Sequence, residues 1–314
     1  MGAKIKLQLL LGATMLVAAS GADARVAKIV VDTKVSPAFE GASFGAAGQY
    51  ETLAGRAFGE LDPNDPHNAI IQDIKLAPRN ARGLVEYTAT FYIVKPIDLA
   101  KSSHLMWHDV PNRGGRLTIA PQERETGDIG LSSGWQGDNA GGTVPGPAND
   151  YVIVPVAKNA DGSPITGRVF GRVVNASGKD SAAMLVNSAP VPYKPASLDT
   201  TKATLTAHAA ETIEGVIGPT ATIPSGDWAW AKCSAANPFP GTPDPTQICL
   251  KNGFDAANLY EVVFTAQDPP VLGIGFAAFR DVGTFFMTQA RRCWRIAFSV
   301  CTAGIGLAWS SEGP

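Results

Sequence analysis

A cysteine near the end of the chain stands in a pattern that suits a nucleophile. Cys301 has small residues, Ser299 and Ala303, two positions before and two positions after it. Small residues there permit the tight turn of a nucleophile elbow, which lifts one side chain above a sheet. A cysteine in that place can attack a substrate if a base or a positive environment lowers the pKa of its thiol. Cys301 is therefore the candidate nucleophile.

A catalytic triad needs an acid and a histidine besides the nucleophile, and after an elbow both are expected further along the chain. Beyond Cys301 the sequence has one acidic residue, Glu312, and no histidine. All four histidines lie upstream: His67, His104, His108 and His208. His108, beside Asp109, is the candidate base among them, although the expected order argues against it. The sequence thus predicts an incomplete triad.

The elements that would position this turn are a helix and a strand. Apolar residues recur at helical spacing after Asp268-Pro-Pro, at Ile274, Ala278, Val282 and Phe285. The apolar run RIAFSV, residues 295–300, then predicts a strand. Arg280 and Asp281 are adjacent in the helix, and an ion pair at its exposed edge is the commoner interpretation.

Earlier segments are rich in strand signals. Alternating and β-branched runs predict strands at 27–32, 87–94, 105–107, 151–156, 169–174 and 203–207. The net charge of −2 argues against a nucleic-acid partner, because phosphate binding needs a clustered basic surface. The glycines between the first two strands lack the spacing of a phosphate-binding loop. We predict no metal and no organic cofactor.

The first 24 residues have the organisation of an export signal. Lys4 and Lys6 precede an apolar run, and Ala22-Asp-Ala24 fits a cleavage site. The apolar run is shorter than the ~20 residues that a spanning helix needs. We expect export to the periplasm or the outside of the cell, with no stable membrane span after cleavage. An N-terminal membrane anchor is the alternative.

Export changes the interpretation of the cysteines. Cys233 and Cys249 bracket a segment rich in Pro, Asn and Gly, which in an oxidising compartment favours a disulfide-closed loop. Two free buried thiols are the alternative. No two cysteines have C-x-x-C spacing, so no zinc site is predicted. The residues from Asp62 to His67 offer oxygen ligands to calcium, but their two prolines favour a turn.

Several longer segments carry a resemblance. They include LAPRNARGLVEY, FYIVKPIDL, NRGG at 112–115, SGWQGD at 133–138 and DPPVLGIGFAAFRD ending at Asp281. In this order they resemble a family of exported bacterial proteins called alpha/beta hydrolase domain proteins, from about residue 26 to 286. The resemblance implies a serine nucleophile with an acid and a histidine, acting on the ester or related acyl bond of a small-molecule substrate.

The resemblance also implies an oxyanion site in the glycine-rich turn after an early sheet strand. The backbone N–H of Arg113 or Gly114 would pair there with the N–H of Thr302, the residue after the elbow. An ordinary β-turn is the alternative. In SGWQGD, Trp135 would either line a cleft or pack beside a polar turn that contains Asp138.

The expected fold is therefore α/β, an incomplete α/β-hydrolase-like sheet with N-terminal β structure and a β-rich insertion. Its expected parts are a signal peptide (1–24), an N-terminal β-rich part (25–104), first core strands with the oxyanion-type turn (105–144), the insertion with the disulfide (145–270), and the helix, strand and elbow-like turn (271–314).

Where the family has G-x-S-Q-S-G, this chain has SVCTAG at 299–304, and the resemblance stops after Phe286. The last segment is thus either a real elbow or a truncated or out-of-frame end. With the triad incomplete, we expect a hydrolase-family protein that is inactive as given. The alternative is an exported, non-catalytic β-rich binding module, which the strand-rich middle with Trp228 and Trp230 favours.

Overall fold

The computed structural model describes residues 25–110, 112–116, 118–139, 148–173, 178–184, 193–288 and 300–302. Its strands are, in chain order, β1 (Val26–Val35), β2 (Ser43–Phe44), β3 (Gly48–Leu61), β4 (Val85–Pro96), β5 (Met106–Asp109), β6 (Ile129–Ser133), β7 (Val152–Ile153), β8 (Thr166–Val173), β9 (Ser181–Ala183), β10 (Lys194–Pro195), β11 (Thr204–His208), β12 (Thr220–Ile223), β13 (Trp228–Ser234), β14 (Asn237–Leu250), β15 (Leu259–Gln267) and β16 (Val300–Thr302). The α-helices are α1 (Pro66–Ala69), α2 (Pro121–Thr126) and α3 (Ile274–Thr288).

The largest sheet has eight strands in the order β16-β1-β3-β4-β6-β5, with β2 added to β3 and β7 to β4. The long strands β3 and β4 pair antiparallel from Tyr50 opposite Pro96 to Leu61 opposite Val85. Only β5 and β6 are parallel among the described pairs of this sheet. The connection between them contains α2, which fits the need of parallel strands for a crossover of a dozen or more residues.

Helix α3 covers one face of this sheet. Its predicted apolar positions, Ile274, Ala278, Val282 and Phe285, are all buried, so the prediction of this helix is confirmed. Phe286 packs edge-to-face against Phe91 of β4, with ring centroids 4.9 Å apart. These apolar contacts join the helix and the first sheet into one core.

Two smaller sheets lie between β8 and β15. One has five strands in the order β10-β15-β11-β12, with β8 added to β15, and the other has three in the order β13-β14-β9. All their described pairs are antiparallel. They share a second core in which Trp228 and Trp230 are almost completely buried. We call residues 166–267 the second region, and the first sheet with α3 the first region.

The predicted α/β-hydrolase-like fold is wrong. That fold requires helices packed on a mainly parallel sheet, whereas the described sheets are antiparallel apart from one pair. The predicted strands at 27–32, 87–94, 105–107, 169–174 and 203–207 are covered or overlapped by β1, β4, β5, β8 and β11. Of the strand predicted at 151–156 only residues 152 and 153 form β7, and the strand predicted at 295–300 lies outside the described residues except for its last residue, Val300. Alternation and β-branching predict an extended backbone but do not specify the direction of the neighbouring strand.

The Cys-bracketed segment forms a hairpin where a loop was predicted. β13 and β14 pair antiparallel, and the two strands are separated by residues 235 and 236 alone. Cys233 and Cys249 form the predicted disulfide, with their Cα atoms 5.7 Å apart. The prolines of β14 precede the positions that pair with β9, so one edge of the strand there needs no N–H donor.

The disulfide is compatible with an exported protein. The export signal itself lies outside the described residues. Within the described part of the chain, no helix is long and apolar enough to cross a membrane.

Candidate active site

A serine and a histidine meet at the carboxyl end of the parallel strand pair. His108 lies on β5 and Ser133 ends β6, and the imidazole Nε2 is 2.8 Å from the serine Oγ. Because neighbouring parallel strands end at the same edge of a sheet, the chain brings these residues together across 25 positions. This spacing of nucleophile and base is within hydrogen-bond reach.

Helix α3 fixes the imidazole. The ring of Phe279 stacks on His108 with centroids 3.7 Å apart and planes within 9°. On the same helix, a Cβ at Gly283 would lie 2.7 Å from the imidazole Nδ1, so glycine is required for this close approach. Burial lowers the pKa of His108 from its usual 6.5 to about 4. The ring is therefore neutral at pH 7, and with Nδ1 protonated its Nε2 accepts the serine hydroxyl proton.

Ser133 has no exposed surface in this structure. It belongs to a strand in which every residue is buried. A substrate can reach its hydroxyl only if the residues that cover the pair move.

The glycine-rich turn expected after an early strand is present beside this pair. Arg113 has a left-handed backbone, with φ at 52°, and its N–H donates to the side-chain Oε1 of Gln136 at 2.6 Å. Its guanidinium Nη1 lies 3.0 Å from both carboxylate oxygens of Asp138. NRGG and SGWQGD, two of the segments that carry the family resemblance, therefore contact each other. An oxyanion role for Arg113 or Gly114 stays a prediction.

The backbone conformation of Gly114 and its close contact with Asp150 require a glycine at this position. Its φ is +79°, and a Cβ on it would lie 2.4 Å from the carbonyl oxygen of Asp150. The N–H of Asp150 donates to the Gly114 carbonyl at 2.8 Å. No residue other than glycine fits this position without a shift of the backbone.

Asp150 is the centre of a buried polar network that sequence reasoning missed. Its carboxylate accepts hydrogen bonds from Ser132 Oγ at 2.7 Å, Thr90 Oγ1 at 3.2 Å and Arg116 Nη2 at 3.0 Å. The network ties β4 and β6 to the segment that precedes β7. It holds the backbone directly before Ser133, and nothing in the local sequence around Asp150 signals this role.

The structure does not bring Cys301 to this site. The backbone of β16 is extended and pairs with β1, with Cys301 opposite Ile29, where the sequence predicted a tight turn. Ser299 and Ala303, which would flank the elbow, lie outside the described residues, as does the side chain of Cys301.

The predicted nucleophile and the predicted oxyanion turn lie at opposite edges of the first sheet. β16 begins the strand order and β5 ends it. At about 4.8 Å between neighbouring strands, five steps amount to roughly 24 Å. The N–H groups of Arg113 and Thr302 therefore do not face one carbonyl group in this structure. Sequence spacing gave no information on this distance, because it depends on the order of strands.

Three other predicted features have clear outcomes. The residues from Asp62 to His67 form a turn, in which Asp65 caps α1 by accepting from the His67 N–H at 2.9 Å. Arg280 and Asp281 pair at 2.7 Å, but Asp281 is buried and not solvated, because Tyr87 of β4 contacts it at 3.4 Å. Burial raises the pKa of Asp281. Trp135 packs near Phe276 of α3, with ring centroids 5.4 Å apart.

Comparisons with family models, with curated proteins and with solved structures find no match to this chain. The resemblance to alpha/beta hydrolase domain proteins therefore stays a prediction, and the chemistry of the site rests on its geometry.

Proposed function

We propose that this chain hydrolyses ester or related acyl bonds of a small molecule, with Ser133 as the nucleophile and His108 as the general base. The observation that carries the proposal is the 2.8 Å contact between the serine Oγ and the imidazole Nε2. It replaces the expected nucleophile Cys301, which lies at the far edge of the sheet. We also propose export to the periplasm or the outside of the cell.

In the first step the Ser133 oxygen bonds to the carbonyl carbon while its proton passes to Nε2 of His108. The imidazolium then gives that proton to the departing alcohol, which leaves an acyl-serine. Water then attacks the acyl carbon while His108 accepts one of its protons, and His108 returns that proton to the departing Ser133 oxygen, which releases the acid and restores the serine hydroxyl. Of these proton transfers, the one between Ser133 Oγ and His108 Nε2 joins groups that are already in contact.

The same geometry predicts slow turnover. A pKa of about 4 makes the His108 imidazole a weak base at neutral pH. The backbone of α3 packs beside Nδ1 at Gly283, where a triad would place its carboxylate. Loss of the orienting acid from a full triad costs about 10⁴-fold in turnover, so we expect activity far below that of a complete triad.

The turn at Arg113 supplies a donor for the developing negative charge. The backbone N–H of Arg113 already donates a hydrogen bond to the side-chain carbonyl oxygen of Gln136. An acyl oxygen of the substrate has the same acceptor chemistry, and it would replace Gln136 at this donor. Gln136 follows Ser133 by three residues, so the loop after β6 carries both groups.

The test is an assay with a chromogenic short-chain ester on the full chain and on three variants. Ser133→Ala and His108→Gln are expected to lose turnover by at least ~100-fold, the scale of general-base catalysis. Cys301→Ala is the matched control and is expected to keep it. A serine-directed phosphonate should label Ser133, as located by mass spectrometry of the digest. Turnover that survives Ser133→Ala, in protein with an unchanged circular dichroism spectrum, sinks the proposal.

The complete burial of Ser133 favours a second candidate, a non-catalytic binding module. A cleft of ≈ 320 Å³ lies elsewhere on the first sheet, lined by Tyr87, Arg79, Glu86 and Ile153 among others. Its size is at the lower end of small-molecule sites, and it combines an aromatic ring with both charges. Absence of ester turnover in the unmodified chain, with ligand binding that Arg79→Ala abolishes, would support this candidate and exclude the first.

A further inference from the structure

Three ionisable side chains meet in the second region, far from Ser133 in sequence. His208 ends β11, Glu211 lies in the segment between β11 and β12, and Glu261 lies on β15. The imidazole Nε2 is 3.9 Å from Glu211 Oε2, and Nδ1 is 4.0 Å from Glu261 Oε2. One ligand atom from each of the three residues lies within 4.8 Å of the other two.

The register of three neighbouring strands produces this meeting. Thr206 pairs with Glu261 across β11 and β15, so His208, two residues along on the same face, lies diagonally from the carboxylate. Arg172 of β8 pairs with Glu261 on the other side. The face concerned is opposite to the one that Leu205 and Ala207 bury in the core.

His208 is buried and unsatisfied. Its side chain is 1% exposed, although it lies on the face turned away from the core. Neither of its ring nitrogens has a hydrogen-bond partner among the described residues. A neutral imidazole needs one acceptor and one donor for its two nitrogens, and burial without them costs free energy. Such an arrangement points to a ligand that bonds to a ring nitrogen.

Arg172 orients the two carboxylates. Its Nη2 lies 2.9 Å from Glu211 Oε1 and 3.0 Å from Glu261 Oε1. The second oxygen of each carboxylate is left on the side of His208, at the two distances given above. Partners of this kind fix the direction of metal-binding groups.

We propose that His208, Glu211 and Glu261 form a site for a divalent metal ion of the zinc type. One imidazole nitrogen and two carboxylate oxygens are a donor set that zinc accepts, with water as the fourth ligand. Tetrahedral zinc, at about 2.1 Å from each ligand, separates its ligand atoms by roughly 3.4 Å. From separations of up to 4.8 Å, the ligand atoms need to approach one another by at most roughly 1.4 Å, and Glu211 lies in the segment between β11 and β12, outside the strands.

The charges are consistent with this ion. The two carboxylates offset its double positive charge, while the Arg172 side chain is 40% exposed and keeps contact with water. The nitrogen donor separates the site from one for calcium or magnesium, which take oxygen ligands. The site does not involve Ser133, so it stands or falls separately from the proposed hydrolysis.

The test is isothermal titration of Zn²⁺ into the tag-free, chelator-treated full chain carrying Cys293→Ser and Cys301→Ser, which removes competing thiols. We expect one saturable equivalent in this background. His208→Gln, Glu211→Gln and Glu261→Gln should each weaken binding by at least ~100-fold, since loss even of an outer-shell partner costs 10–100-fold. Glu214→Gln, in the same connecting segment, is the matched control and should bind as before. Tetrahedral absorption of bound Co²⁺ would support the same geometry.

The proposal is overturned if the background protein shows no saturable binding of Zn²⁺. Binding that persists in Glu211→Gln and Glu261→Gln overturns it as well. If His208→Gln fails to fold, as judged by circular dichroism, Glu211→Gln decides, because that side chain lies outside the strands and is 27% exposed.

Discussion

His208 is buried and His108 is partly buried, and their ring nitrogens meet different surroundings. His108 has a hydroxyl, that of Ser133, against Nε2 and a stacked aromatic ring on its face. His208 has no hydrogen-bond partner among the described residues and faces carboxylate oxygens at 3.9 and 4.0 Å. The first contact is short enough for proton transfer, and the second arrangement is open enough for an ion.

The difference follows from the two sheets. In the first region a parallel pair ends at one edge, so β5 and β6 present neighbouring side chains at hydrogen-bond distance. In the second region three antiparallel strands place Arg172, Glu261 and His208 across one face. Glu261 is in contact with Arg172 at 3.0 Å, while its other carboxylate oxygen stays 4.0 Å from the imidazole of His208. The same residue type is thus positioned for acid–base chemistry in one sheet and for coordination in the other.

Removal of the disulfide is expected to give the largest difference in stability between the two regions. The cysteines are 16 residues apart, and closing a loop of this length stabilises a fold by roughly 3 kcal/mol in the chain-entropy model. We expect Cys233→Ala/Cys249→Ala to lose about that much in the second region. Urea unfolding followed by tryptophan fluorescence measures it, in a background that replaces the other four tryptophans, Trp107, Trp135, Trp294 and Trp309, with Phe so that only Trp228 and Trp230 report.

Cys301→Ser is the control for loss of a cysteine outside the disulfide. Ester turnover, which reports on the first region, should change little in the double variant at low urea. If turnover and tryptophan fluorescence are lost at the same urea concentration, the two regions unfold together as one cooperative unit. The two regions would then have no separate stabilities to compare.

Protonation of His108 should make the free energy of unfolding depend on pH. Because burial lowers its folded pKa to about 4, the unfolded chain binds a proton between pH 6.5 and 4 that the folded chain does not. The free energy of unfolding therefore falls as the pH drops through this range. At about 1.4 kcal/mol per pKa unit the loss is at most ~3 kcal/mol, and partial exposure of the ring reduces it.

The measurement is urea unfolding at a series of pH values, comparing the chain with His108→Gln. The difference between the two proteins cancels other groups, such as Asp281, whose pKa burial raises. Parallel curves for both proteins between pH 6.5 and 4 would show that His108 is protonated equally in the folded and unfolded states.

Local patterns predicted the parts that depend on neighbouring residues. The spacing of Ile274, Ala278, Val282 and Phe285 predicted α3, and the polar segment between Cys233 and Cys249 predicted the disulfide. The order and direction of strands depend on pairing between distant segments, and these went unpredicted. Once the strand order is known, a nucleophile at Cys301 and an oxyanion turn at Arg113 fall at opposite edges.

The candidate sites depended on such distant pairing too. Ser133 was visible only as the first residue of the segment SGWQGD, and its partner His108 lies 25 residues earlier. Glu261 lies 53 residues after His208, with no spacing that marks a ligand. His108 was the candidate base in the sequence, but its partner Ser133 was not identified. Histidine and carboxylate residues are common in any chain, so their types alone did not select His208, Glu211 and Glu261.

The smallest expected effect concerns the ion pair between Arg113 and Asp138. Their side chains are 42% and 25% exposed, and pairs this open contribute about 0–1 kcal/mol to stability. Asp138→Asn should therefore shift the urea midpoint little, as should Asp32→Asn, which removes the comparable surface partner of Arg56.

If the Arg113 turn serves the reaction at Ser133, Asp138→Asn should still lower kcat/KM for the ester, because the guanidinium contact helps to hold the turn, whereas Asp32→Asn should not. Equal kcat/KM in the two variants would leave the turn without a role in turnover, and a stability loss above ~2 kcal/mol in Asp138→Asn alone would make that role structural.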